Sequence, residues 1–107
     1  MAAEKIRELN DAFRTTMTGG RVMLTAGVDA LPSDVKAMVI RRVTTFSDFT
    51  KDNDPHGEHD FGSFDLAGQK FFWKIDPYDR NLEFGSPDSA DPATTTRVLT
   101  IMLAAEY

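Results

Sequence analysis

Apolar positions follow a helical spacing near both ends of this chain and an alternating one through its middle. Ile6, Leu9 and Phe13 recur at intervals of three and four, which predicts a helix from Ala2 to about Thr16. Gly19-Gly20 ends it in a turn. Val22, Leu24 and Ala26 share one side of Arg21–Ala26, a short predicted strand whose place in a sheet the pattern leaves open. Val35, Val39, Val43 and Phe46 form the next helical stripe. That helix is predicted from an N-cap at Ser33 to about Ser47, with Lys36, Arg41 and Arg42 pointing elsewhere.

Phe61–Leu66 and Gln69–Ile75 flank Ala67-Gly68 and predict a hairpin with a two-residue loop. Its register sets Asp65 against Lys70, Phe64 against Phe71, and Gly62 against Trp73, where glycine leaves room for the indole. Phe64, Leu66, Phe71, Trp73 and Ile75 then share the core face, and Phe61 and Phe72 the polar one. On that face the two phenylalanines are expected to be covered by the first helix or a loop rather than left as a patch. Asp76–Asp79 is predicted as a turn into a third strand, Asn81–Phe84, with Leu82 opposite Trp73 and Phe84 opposite Phe71. After a loop to Asp91, Pro92 opens a predicted last helix with Val98, Ile101, Met102 and Ala105 inward. The sum is an α+β fold of order α-β-α-β-β-β-α, two layers, with helices on one face of a mainly antiparallel sheet.

The same register, continued backwards, brings Asp60 opposite Ile75 and His59 opposite Asp76. Asp52–Asp60, which holds both histidines of the chain and no lysine or arginine, is therefore expected at the same end of the sheet as Asp76–Asp79. Asp54, His56, Glu58, His59, Asp60, Asp76, Tyr78 and Asp79 make up the candidate binding surface. Three readings of it stand. Imidazole and carboxylate donors suit a divalent metal such as zinc, manganese or iron. Asp, Asn, Pro55 and Gly57 equally suit a structural turn, with His59 hydrogen-bonded to Asp76. The third reading is an anionic surface for a basic partner. A calcium loop fails, because Ser63 stands where a bidentate glutamate belongs.

Composition narrows the choice. The 107 residues fit a single domain, 1–107, and with 41% apolar content can bury a core of their own. No cysteine is present, which removes disulfides and thiolate metal sites, and no apolar run approaches a bilayer span, so a soluble cytoplasmic protein is expected. A net charge of −5 argues against direct nucleic-acid binding and favours a basic partner. A nucleic-acid mimic would need carboxylates spread along an extended surface, whereas these gather at one end. No Gly-x-Ser-x-Gly elbow or phosphate loop occurs.

Several motifs also carry a resemblance. They are Asn53-Asp54-Pro55, Glu58-His59-Asp60-Phe61-Gly62, Trp73-Lys74-Ile75-Asp76 with Tyr78-Asp79, and Arg97-Val98-Leu99-Thr100-Ile101-Met102-Leu103-Ala104. With Ser86-Pro87-Asp88, Asp91-Pro92 and the closing Glu106-Tyr107, the chain resembles an uncharacterised family of short alphaproteobacterial proteins, a domain of unknown function. Members have Lys-Ile-Asp-Tyr-Tyr-Asp where this chain has Pro77, and Ala-Glu-Glu-Tyr where it has Ala105. The Pro77 change removes one tyrosine from the site region. The resemblance implies no activity; it implies a setting on plasmids and integrative elements, and a role in their maintenance, transfer or evasion of host defence.

The leading expectation is a non-enzymatic interaction protein of a mobile-element gene set, docking a basic protein partner through residues 52–60 and 76–79. The alternative is a metal-dependent hydrolytic domain using His59, Asp76 and Glu58, the first two as ligands and Glu58 as general base.

Overall fold

A computed structural model describes residues 2–107. Helix α1 runs over Ala2–Thr16, strand β1 over Arg21–Leu24, the single turn α2 over Ala26–Asp29 and helix α3 over Ser33–Thr44. Strands β2 (Phe61–Leu66), β3 (Gln69–Tyr78) and β4 (Thr96–Leu103) follow, and a 3-10 turn closes the chain at Ala104–Glu106. The α+β class is as expected, with the sheet in the order β1-β4-β3-β2. Strand β1 lies parallel to β4 at one edge, and the other pairs are antiparallel.

The β2–β3 register is the predicted one, including Gly62 opposite Trp73. It turns Phe64, Phe71, Trp73 and Ile75 toward α1 and α3, where they join Phe13, Val28, Val39, Val43, Leu99 and Ile101 in one buried cluster. Trp73, Phe71, Leu99 and Ile101 are fully buried. A Cβ on Gly62 would lie 2.7 Å from Trp73 Cε2 and 2.8 Å from Phe46 Cζ, so the indole occupies the space a side chain would need.

Several elements depart from the pattern expected of them. Residues 96–103 form a central strand, not an inward helix face, and pair with β3 from Phe71↔Leu103 to Tyr78↔Thr96. Asn81–Phe84 is not a strand: Asp79 Oδ1 accepts the Glu83 amide, Leu82 takes a φ of 61°, and Phe84 is 71% exposed. Leu82 and Phe84 therefore do not face Trp73 and Phe71. Asp76–Tyr78 continues β3 instead of turning. Pro77 fits there because its carbonyl accepts Ser86 N (3.0 Å), so its missing N–H falls on the side away from β4. Helix α3 also stops at Thr44, short of Ser47, with Pro32 rather than Ser33 in the N-cap position.

Nor does α1 cover Phe61 and Phe72. They pack on each other (centroids 5.3 Å) and against Tyr107 (6.0 and 5.3 Å) on the sheet face away from the helices. Glu106 secures that end by accepting from Thr25 Oγ1 (2.6 Å), Leu103 N (2.8 Å) and Gly27 N (2.9 Å). These bonds, the Thr25 hydroxyl first, hold its carboxyl below the usual glutamate range.

Candidate functional site

The acidic segment is fixed to the protein by α1. Arg7 Nη1 donates to Gly57 O (3.1 Å) and Asn10 Nδ2 to Glu58 O (2.9 Å). One turn on, Asp11 accepts His59 Nδ1 at 2.9 and 3.0 Å and Arg14 Nη2 at 3.1 Å. Arg7, Asn10, Asp11 and Arg14 recur at helical spacing, so they form a polar row beside the apolar row of Ile6, Leu9 and Phe13. Arg14 is buried, and its Nη1 donates to Val43 O (2.9 Å) and Phe46 O (3.1 Å) at the end of α3. A cation there meets the negative end of the helix dipole. Its guanidinium also lies over Trp73 (5.1 Å) and Phe49 (5.5 Å).

His59 is the pivot of the segment. Its ring stacks on Phe49 with centroids 3.6 Å apart and planes 4° from parallel. Nε2 is 3.5 Å from Asp54 Oδ2, and the His59 amide donates to Asp54 Oδ1 (3.1 Å). His59 has a φ of 52° and Gly57 a φ of 67°, so the chain doubles back here and both ring nitrogens face carboxylates. Asp54 is buried under this turn, and its carbonyl accepts Gly57 N (3.1 Å). Asn53 organises the entry, bonding Thr50 N and Asp48 O at 2.8 Å each.

The other sequence-predicted residues scatter around this framework. His56 is exposed, and Glu58 is half-buried with its carbonyl held by Asn10. Asp60 is half-buried and its carbonyl accepts Ile75 N (2.8 Å), as the register requires. Its carboxyl is pushed up from the usual aspartate value by burial first, and further by the charges of Asp54 and Asp76, against a backbone hydrogen bond and His56. Asp76 lies on the open sheet face 2.9 Å from Lys74 Nζ, and that contact raises the lysine. Tyr78 ends β3, and Asp79 caps the turn that follows.

Thus the acidic segment and the end of β3 do share one region, but His59 and Asp76 engage different partners: Asp11 and Asp54 for the one, Lys74 for the other. Among the described residues no group of three or more His, Cys, Asp or Glu side chains is placed to hold a metal ion. Sequence reasoning missed Asn10, Asp11, Arg14 and Phe49. The polar row on α1 was the available signal, since its neighbours on that helix form the core-facing stripe.

A family model described as "Protein of unknown function (DUF3768)" matches residues 24–106, and the chain belongs to that family. The match begins after α1, the helix that supplies Asn10, Asp11 and Arg14. No curated protein and no solved structure matches the chain. No helix among the described residues is long and apolar enough to cross a membrane.

Proposed function

We propose that this member of the DUF3768 family is a non-enzymatic interaction protein that docks a basic surface of a protein partner along the edge formed by residues 52–60 and 76–79. The supporting observation is that four carboxylates of this edge lack a cation partner among the described residues. The charges of Asp54 and Asp76 also act against ionisation of Asp60, whose carboxyl is raised by burial first. Asp54 and Asp76 have His59 and Lys74 beside them, whereas Asp52, Glu58, Asp60 and Asp79 form no ion pair among the described residues. A lysine or arginine of a partner would relieve that repulsion while the framework under the loop stays in place. The hydrolytic metal reading has less support, because its two ligands turn to separate partners. The plasmid and mobile-element setting is carried into this proposal by the resemblance alone.

The test is capture from host lysate with the wild type and with Asp52→Asn/Glu58→Gln/Asp60→Asn, which leaves Asp11, Asp54 and His59 intact. The expected result is a set of proteins retained by the wild type, lost by the variant, and released as salt rises from about 0.1 M to about 1 M, where the screening length falls from about 10 Å to about 3 Å. The same proteins with the same salt dependence from both would overturn the proposal.

A further inference from the structure

Arg97 breaks the charge logic of the molecule. It stands near the start of β4 on the helix-facing side and is only 5% exposed, yet no carboxylate pairs with it among the described residues. Nε donates to Asn10 Oδ1 (2.8 Å) and Nη2 donates to the Ser89 carbonyl, both neutral acceptors. Nη1 has no hydrogen-bond partner among the described residues. A guanidinium stays charged at any ordinary pH, so this is a desolvated cation left without a counter-charge. Arg14 shows the usual remedy: it is as deeply buried, but it has Asp11 and the carbonyl end of α3.

The unpaired guanidinium lines a cleft of about 390 Å³ between the second half of α1, the turn into β1 and the segment leading to β4. Arg80 lines it too, exposed and without any ion pair among the described residues. Thr16 and Thr18 line it with hydroxyls 2.9 Å apart, Thr16 Oγ1 donating to Ala12 O (2.6 Å), and Phe13 and Pro92 give the cleft an apolar wall. Among the described residues, two cations and no carboxylate therefore line one concavity in a protein of net charge −5. Guanidinium forks are groups that bind phosphoryl and carboxylate oxygens.

We infer that this cleft binds a small organic oxyanion, its phosphoryl or carboxylate head between Arg97 and Arg80 and a compact apolar body against Phe13 and Pro92. Burial depresses the Arg97 value, as it must where no anion compensates the charge. The site is independent of the acidic edge and of the docking proposed there.

Amide-resolved NMR titration of the full chain tests this with phenyl phosphate, benzoate and inorganic phosphate, against sodium chloride at matched ionic strength. Saturable shifts are expected at the amides of Thr16, Thr18, Gly19 and Arg97. Phenyl phosphate should bind more tightly than inorganic phosphate, and its comparison with benzoate identifies the head group. Arg80→Gln changes an exposed side chain, so folding is retained, and affinity should fall about tenfold or more, the scale of one lost charged hydrogen bond. Arg97→Gln should abolish the shifts, but the inference stands or falls on Arg80→Gln should that protein not fold. It is overturned by the absence of saturable shifts with all three ligands, by shifts that chloride reproduces, or by an affinity that Arg80→Gln leaves unchanged.

Discussion

Asn10 is where the acidic segment and the buried arginine meet, and Asn10→Ala tests whether that junction holds the protein together. The side chain is 3% exposed and uses both ends of its amide: Nδ2 donates to Glu58 O at 2.9 Å, and Oδ1 accepts Arg97 Nε at 2.8 Å. Alanine removes both bonds. The first is a neutral bond to a half-buried carbonyl and contributes about 1 kcal/mol. The second comes from a buried guanidinium, and leaving that donor unpaired costs about 2 kcal/mol. The sum, about 3 kcal/mol, is a large part of the roughly 5–15 kcal/mol that stabilises a domain of this kind. At about 4 °C per kcal/mol it lowers the melting temperature by roughly 12 °C. Urea unfolding followed through Trp73, the single tryptophan, measures the total. Amide hydrogen exchange at Gly57 and His59, whose N–H groups both bond Asp54, reports release of the segment itself. A loss below about 1 kcal/mol would refute the bookkeeping. Unchanged exchange at those amides would refute the idea that α1 pins the segment.

Two further expectations concern the core and its pH dependence. Gly62→Ala places a methyl group 2.7 Å from Trp73 Cε2 and 2.8 Å from Phe46 Cζ, beside a fully buried indole, and should cost about 2–3 kcal/mol in urea unfolding; a variant as stable as the wild type would show that the indole is not confined. Asp60 has a raised value in the folded state, so the native protein takes up its proton more readily than the unfolded chain, and this group's contribution is fully present below the unfolded value and lost as pH rises through the folded one. Asp60→Asn should therefore raise the melting temperature at pH 7, with the gain vanishing once acid protonates the wild type; equal melting at pH 7 would contradict the burial argument.

The hairpin was legible because its evidence was redundant. Alternation, a two-residue loop, an Asp65–Lys70 pair and the glycine opposite tryptophan all demanded one register. Residues 96–103 offered two periods at once. Val98, Ile101, Met102 and Ala105 fit a helix, while Arg97, Leu99, Ile101 and Leu103 alternate, and β-branched residues crowd the segment. Tertiary pairing settled the tie, since β3 has one edge on β2 and buries its other edge against β4. A central strand can bury side chains on both faces, and Met102 on the outer face is as buried as the core requires. Asn81–Phe84 failed for the opposite reason: four residues of suitable composition carried no partner, and Asp79 closes a turn across them. At the site, the hairpin register placed Asp60 opposite Ile75 but could not supply the partners of the segment. Asp11 and Asn10 are about fifty positions away, and a contact across that distance leaves no local trace.

The partners of each side chain, more than its residue type, separate the two regions of interest. His59 and Asp54 look like chemistry in the sequence, yet their polar atoms are committed to one another and to Asp11, and Phe49 covers the ring. Arg97 looks like an ordinary strand residue and is the group left over. The reason lies in Asn10. An aspartate there would neutralise Arg97, but it has no N–H to offer Glu58 O and would set a carboxylate against a carbonyl in a buried place. The amide satisfies the acidic segment on one side and only the hydrogen bond, not the charge, of Arg97 on the other. Securing the loop in this way leaves a positive charge facing the cleft between α1 and β4, where an anion from solution can supply what the fold withholds.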